Sequence, residues 1–156
     1  MRIAQQAMDF GDIWIRSTPF DPTCISLFES HYSARPNRPN RWKRGFVQPG
    51  EKIVLRTADA SALFVWVLPR YRNDGQVGVE CSVFRNEGKH LSSFLILEAE
   101  KWARERWAEI NRYFTYVNAE KVRSSNPGYC FLKAGYCKCG VSPKGLLILE
   151  KVRGDA

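Results

Sequence analysis

Nowhere in these 156 residues does an uninterrupted apolar run approach the ~20 that a membrane-spanning helix needs, which argues against a helical membrane protein. Internal repeats, low-complexity tracts and collagen-like periodicity are also missing. Acidic residues are few: 16 Asp plus Glu stand against 24 Lys plus Arg, for a formal charge of +8. Histidine is scarcer still, with only His31 and His90. The amino-terminal MRIAQQAMDFGD has one early Arg and then acids, without the apolar core of a secretory signal, so the expected compartment is the cytoplasm. What is there, at 44% hydrophobic, is the composition of an ordinary globular protein. The length suits one domain over 1–156 with enough apolar side chains to build a core.

Cys24, Cys81, Cys130, Cys137 and Cys139 make an odd number, and in a cytoplasmic chain the default is reduced thiols. A structural zinc site wants paired C-x2-C or regularly spaced histidines. Cys137-Lys138-Cys139 is a C-x-C with Cys130 seven residues earlier, a poor fit, so no metal is expected. The cysteines read instead as buried thiols acting as small apolar residues.

Residues 12–17 (DIWIRS) read as a first strand, and Asp21-Pro22 as a helix start with Asp as N-cap and Pro at the first helical position. From 33 to 50 three prolines and two glycines forbid a regular element and predict a long loop. The segments 52–57, 62–68 and 77–84 are rich in β-branched and aromatic residues and read as an antiparallel meander. In the third, Val77, Val79, Cys81 and Val83 alternate with Gly78, Glu80, Ser82 and Phe84, predicting two faces. Leu91, Leu95, Ala99, Trp102 and Ala103 recur at a helical period, predicting a helix over 91–111. A strand over 113–117, a short helix over 128–134 and strands over 136–141 and 146–152 complete the chain. The expected class is α+β, with one sheet of six or seven strands flanked by helices.

Two segments carry chemistry at element junctions. Arg85-Asn86-Glu87-Gly88-Lys89-His90 is a glycine turn between a strand and the long helix, where unpaired N–H groups and the positive dipole end can receive a pyrophosphate. Such a turn also serves simply as a connection. The second is NPGYCFLKAGY over 126–136, preceded by YFTYV and Asn118. Together with the order of elements from 52 to 152, these segments resemble the GNAT acyltransferase superfamily. FLKAGY is similar to its late aromatic-x-Lys-x-Gly-Phe helix, and RNEGKH to its Arg/Gln-x-x-Gly-x-Gly/Ala pyrophosphate loop. The resemblance implies a mostly antiparallel mixed sheet and an acetyl-CoA or related acyl-CoA donor. It also implies cofactor contacts from Val83, Arg85, Gly88, Lys89, His90, Asn118 and Lys133. Two residues depart from the pattern. His90 stands where the loop has Gly or Ala, and Phe131 where many members place the Tyr that protonates the leaving thiolate. A phenyl ring has no proton to give, which turns attention to Tyr129.

The 33–50 loop is strongly basic. Arg35, Arg38, Arg41, Lys43 and Arg44 are interleaved with Trp42 and Phe46, without an acid from 31 to 50. Such a stretch is either a solvated loop or a nucleic-acid contact, in which the cations displace counterions and the aromatics stack on unpaired bases. His31-Tyr32-Ser33 precedes it; a histidine there can act as a general base near neutral pH or as a structural hydrogen bonder. Glu80 is the rival base, because the superfamily uses strand carboxylates to activate the acceptor amine.

HYS, the basic loop and NPGYCF…AGY together are similar to the phage GNAT-like proteins related to the Mom DNA-modification enzyme. That resemblance implies DNA as partner, the adenine amino group as acceptor, His31 and Tyr32 in the active site, and Ser124 and Asn126 on the acceptor side. A phage-encoded enzyme would work in the host cytoplasm. Reaching an adenine in duplex DNA requires unstacking it, at about a few kcal/mol. Two further readings stand beside this one. One is an acetyl-CoA-dependent transferase for a small amine or protein amino group; the other is a non-catalytic nucleic-acid-binding module on the same scaffold.

Overall fold

The computed structural model describes residues 12–30, 45–70, 72–120 and 128–154. Strand β1 (Trp14–Ser17) leads into helix α1 (Pro22–Glu29). Asp21 starts that helix as the sequence predicts: Oδ1 accepts from the Thr23 N–H at 2.9 Å and Oδ2 from the Ser17 hydroxyl at 2.6 Å. Burial pushes the Asp21 carboxyl up, but Ser17, Thr23 and Arg56 together hold it below its ordinary value. Strands β2 (Gly50–Thr57), β3 (Ala62–Pro69) and β4 (Val79–Asn86) form the meander. Helix α2 (Ser92–Arg106), strand β5 (Arg112–Val117), helix α3 (Tyr129–Lys133) and strands β6 (Cys137–Val141) and β7 (Leu147–Val152) follow.

The seven strands make one sheet in the order β1-β2-β3-β4-β5-β7-β6, antiparallel at every junction except β4–β5. The mostly antiparallel α+β architecture expected from the sequence is therefore present. One face packs under α2 and α3, where Trp14, Phe64, Trp66, Cys81 and Tyr113 meet Leu95, Ile96, Ala99, Ala103 and Phe131. Two indoles anchor α2 by donating to its carbonyls, Trp14 to Leu95 at 2.9 Å and Trp66 to Ala99 at 2.8 Å. The other face is covered by α1 through Cys24 and Leu27 against Val54, Leu63, Val65 and Val83.

Helix α2 is shorter than the predicted 91–111. Trp107 leaves the helical conformation (φ −127°, ψ 63°), is buried, and donates its indole N–H to Glu51 at 2.9 Å. Burying that ring turns the chain inward and ends the helix. Strand β4 begins at 79 rather than 77 because Gly78 sits at φ +125°, where a Cβ would lie 2.5 Å from the Arg112 carbonyl oxygen. The predicted alternation along this strand also breaks. Val65 pairs with Val83 but Trp66 pairs with Cys81, so Ser82 is an extra residue in a β-bulge. Val79 and Cys81 therefore face α2 while Val83 joins the α1 side, and Phe84 packs with the α2 cluster.

The β2–β3 turn is organised by one hydroxyl. Thr57 Oγ1 accepts from the N–H groups of Ser61 (3.0 Å) and Ala62 (3.1 Å) and donates to Asp59 (2.8 Å). Thr57 is 2% exposed, so Thr57→Val, which keeps the shape and strands these donors, should cost about 1–3 kcal/mol in urea unfolding. A cost below a few tenths would show that the turn holds without it. Among the described residues no helix is long and apolar enough to cross a membrane.

Candidate active site

The sheet opens at its one parallel junction. β4 and β5 are in register only from Val79↔Tyr113 to Cys81↔Thr115. Beyond that point β4 follows β3 as far as Asn86, whereas β5 follows β7 to Val117. The Ser82 bulge falls at the point of divergence, so a bent strand and the loss of parallel pairing create one wedge. Helix α3 lies beside it, with Phe131 edge-on to Phe84 at 6.0 Å and to Tyr136 at 5.1 Å. Gly128 admits this approach: at φ +78° a Cβ would lie 2.5 Å from Leu149 Cδ1.

At the far end of β4 the chain turns into α2 through a loop built by Asn86. Its Oδ1 accepts from the Gly88 N–H at 3.0 Å, and its Nδ2 donates to the His90 carbonyl (2.8 Å) and the Ser92 hydroxyl (3.0 Å). Gly88 lies tight against the β2–β3 turn, where a Cβ would meet Ser61 Oγ at 2.3 Å. The N-cap of α2 is Leu91, which offers no side-chain acceptor to the first turn. A fifteen-residue helix thus presents uncapped N–H groups and its positive end beside the loop. Lys89 is exposed there, Arg85 pairs with Glu87, and the His90 ring lies 6.4 Å from Phe94.

Neither a protein-family model nor a curated protein matches the sequence. Solved structures do match. An aminoglycoside 6'-acetyltransferase type Ii superposes with a TM-score of 0.59 at 15% identity, covering 90% of this chain and 96% of the other. A protein assigned as a phosphinothricin N-acetyltransferase gives 0.57 at 18%, covering 91% and 98%. The chain has the GNAT fold. The GNAT domain of S. lividans PAT is also similar, with a TM-score of 0.49 at 20% identity; it is covered over 60% of its length by 65% of this chain.

The structure places the predicted cofactor residues on β4, in the loop after it, just past β5 and at the end of α3. Val83, Arg85, Gly88, Lys89 and His90 run along β4 and the loop. Asn118, whose Oδ1 accepts from the Glu120 N–H at 3.0 Å, directly follows β5. Tyr129 opens α3 half exposed, and Lys133 closes it with Nζ 6.0 Å from the Tyr129 ring centre. His31, Tyr32, Arg35, Arg38, Arg41, Trp42, Lys43, Arg44, Ser124 and Asn126 lie outside the described residues. Sequence reasoning missed Asn86, although Asn two residues before Gly is the signature of a side chain capping its own turn.

Glu80 lies on the α1 side of the sheet, opposite Val67 on β3 and Phe114 on β5, one residue before the parallel register ends. It is an ion-pair partner of Arg72. Burial raises the Glu80 carboxyl above its ordinary value, outweighing the lowering by Arg72. The Arg72 guanidinium lies 4.9 Å from the Phe114 ring centre, with Nε 3.4 Å from Asp74 Oδ1. Asp74 Oδ2 accepts from the Tyr116 hydroxyl at 2.6 Å, and its Oδ1 from the Gln76 N–H at 3.0 Å. A cleft of about 590 Å³ adjoins this network, lined among others by Asn73, Asp74, Tyr116, Ser142 and Ile148. Sequence reasoning missed Arg72 and Asp74, which lie between the second and third predicted strands of the meander.

The cysteines correct one expectation. Cys24 and Cys81 are buried and Cys130 half-buried, but Cys137 and Cys139 are exposed. They lie on β6, the edge strand, which pairs only with β7 and carries no covering helix among the described residues. Burial raises the Cys24 thiol to about 11. Among the described residues there is no group of three or more His, Cys, Asp or Glu that could hold a metal ion.

Proposed function

We propose that the protein is an acyl-CoA-dependent N-acyltransferase whose acceptor is a nucleobase amine in DNA. One observation carries the transferase reading: the β-bulge and the end of parallel pairing open one wedge, and the strand that leaves it runs on into an uncapped helix N-terminus. The donor supplies an activated thioester carbonyl. Uncapped α2 N–H groups and Lys89 receive the pyrophosphate, with Arg85, Gly88 and His90 shaping that end. The β4 backbone around Val83 polarises the acyl carbonyl. Asn118 and Lys133 flank the pantetheine and nucleotide.

Glu80 takes the proton from the acceptor amine, and its raised carboxyl suits that task at neutral pH. Phe131, packed between Phe84 and Tyr136, has no proton to return, so Tyr129 at the first turn of α3 supplies the one that goes to the leaving thiolate. The DNA acceptor rests on the +8 charge, the acid-free basic stretch with Arg35, Arg38, Arg41, Trp42, Lys43 and Arg44, and the Mom-like HYS and NPGYCF segments. In that reading His31 and Tyr32 join the active site, and Ser124 and Asn126 line the acceptor side. A small-amine acceptor is the second reading, favoured by the superposition on an aminoglycoside acetyltransferase.

Calorimetric titration with acetyl-CoA tests the donor. Saturable binding is expected, and Gly88→Val should weaken it about tenfold or more by pushing the loop off Ser61. Absence of binding at millimolar acetyl-CoA would remove the transferase reading. Mass spectrometry of nucleosides from DNA of expressing cells tests the acceptor: a mass-shifted nucleoside supports DNA, and wholly unmodified DNA moves the acceptor to a small amine.

A further inference from the structure

We infer that Arg72, seated on Phe114 and shared with the charge of Asp74, is the positioning residue for Glu80, and that the 72–77 segment delivers it. The inference rests on the reading of Glu80 as the base that accepts the amine proton. The geometry is a chain of contacts from two strands and one loop. Tyr116 on β5 donates to Asp74 at 2.6 Å. Asp74 faces Arg72 at 3.4 Å, and Arg72 pairs with Glu80 on β4. The guanidinium is also seated on an aromatic ring, 4.9 Å from the centre of Phe114.

The segment that carries Arg72 and Asp74 is tied down independently of Glu80. Arg112 donates to the Val77 carbonyl at 2.7 Å, to Gln76 Oε1 at 2.9 Å and to Glu150 at 2.6 Å, while stacking on Phe114 at 4.7 Å. Phe114 therefore carries two guanidinium groups, one fastening the loop and one reaching Glu80. A loop required only to join β3 to β4 would not need both. Of the Arg72 guanidinium nitrogens, only the one facing Glu80 makes a hydrogen bond among the described residues. Nε, 3.4 Å from Asp74 Oδ1, and Nη1 are buried without a hydrogen-bond partner there. Glu80, the Phe114 ring and the charge of Asp74 together therefore fix the place of Arg72.

The groups facing Glu80 define the expected signs. Arg72 and Asp74 come from the loop, Arg112 and Tyr116 from β5 with Glu150 behind on β7, Gln48 from the segment before β2, and Lys52 from the same row of the sheet on β2. Removing the cation at 72 should move the Glu80 titration upward. Removing the anion at 74 should move it downward, because Arg72 is then shared with no second carboxylate.

The experiment follows the 13C carboxyl signal of Glu80, assigned with Glu80→Gln, through a pH titration of the full chain labelled at glutamate. Arg72→Met should shift the midpoint up, Asp74→Asn should shift it down, and Arg72→Lys should restore much of the Arg72→Met change. Asp74→Asn and Arg72→Lys keep the test decisive should Arg72→Met not fold. Shifts of opposite sign support positioning; an unmoved midpoint in Asp74→Asn and Arg72→Lys, or shifts of one sign only, overturns it. The underlying reading fails differently: Glu80→Gln would then transfer acyl groups as fast as the parent chain, whatever the titrations show.

Discussion

Glu80→Gln is expected to lower the rate of acyl transfer by about 10²–10⁴-fold, the usual contribution of a positioned general base. Gln keeps the shape and still offers Arg72 an oxygen to accept its N–H, so the fold and the 72–77 segment should be retained. Acetyl-CoA affinity should change little, because the 87–91 loop and the α2 N-terminus proposed to receive it lie at the other end of β4. The pH profile provides the signature. A base works only when deprotonated, and burial raises the Glu80 carboxyl. With Glu80 as the proposed base, the parent chain should therefore lose activity as pH falls through that raised value, at a less acidic pH than an ordinary Glu would give. The residual rate of Glu80→Gln should lack this acid limb. A variant that keeps both the rate and the limb would transfer the role of base to another residue, His31 being the rival from the sequence.

The second large effect concerns stability. Glu100 on α2 is 2% exposed, and Lys151 on β7 reaches it with Nζ 2.9 Å from Oε1. The same ammonium donates to the Ala134 carbonyl at 2.9 Å, at the end of α3, and lies 5.8 Å from the Tyr136 ring centre. One cation thus ties α2, α3 and β7 together beneath the site. Glu100 Oε2 and the hydroxyls of Tyr113 and Tyr136 are buried without a hydrogen-bond partner, so little else compensates the carboxylate. Burial, with Glu100 nearby, raises the Tyr136 phenol well above its ordinary value and keeps it neutral. Lys151→Met should cost about 3–5 kcal/mol in urea unfolding, the usual cost of leaving a buried charge alone. The double variant Glu100→Leu with Lys151→Met should recover most of that loss, since desolvating two charges offsets much of their attraction. A single variant as stable as the parent would show that the Glu100–Lys151 pair contributes nothing to stability.

Much of the architecture was legible before any coordinates. Asp21-Pro22 marks the start of α1 by capping chemistry confined to neighbouring residues, and the meander shows in its β-branched runs. The Ser82 bulge was not legible, because one inserted residue leaves Val79, Cys81 and Val83 at a spacing that still reads as unbroken alternation. Only the partner strand reveals that 83 has changed sides. Arg72–Glu80 and Glu100–Lys151 escaped for a related reason. Glu100 and Lys151 are distant in sequence and brought together by sheet order, while Arg72 reaches Glu80 through the way the β3–β4 loop folds back on β4; no local pattern encodes either. The loop glycine was found and its organiser overlooked: Gly88 drew attention as a phosphate contact, while Asn86 does the hydrogen bonding that shapes the turn.

The three-residue parallel register between β4 and β5 also divides the molecule into two leaves. β1 to β4 form one, each strand after the first joined to its predecessor in the sequence, and β5, β7 and β6 form the other, with β6 and β7 a hairpin. Contacts inside each leaf are largely local and quick to form, whereas the seam between them needs a crossover through α2. The seam should therefore close last as the chain collapses and loosen first under mechanical or thermal stress. What lies across it then acts as glue: a molecule bridging both lips of the wedge would staple the leaves, coupling occupancy to the endurance of the whole sheet.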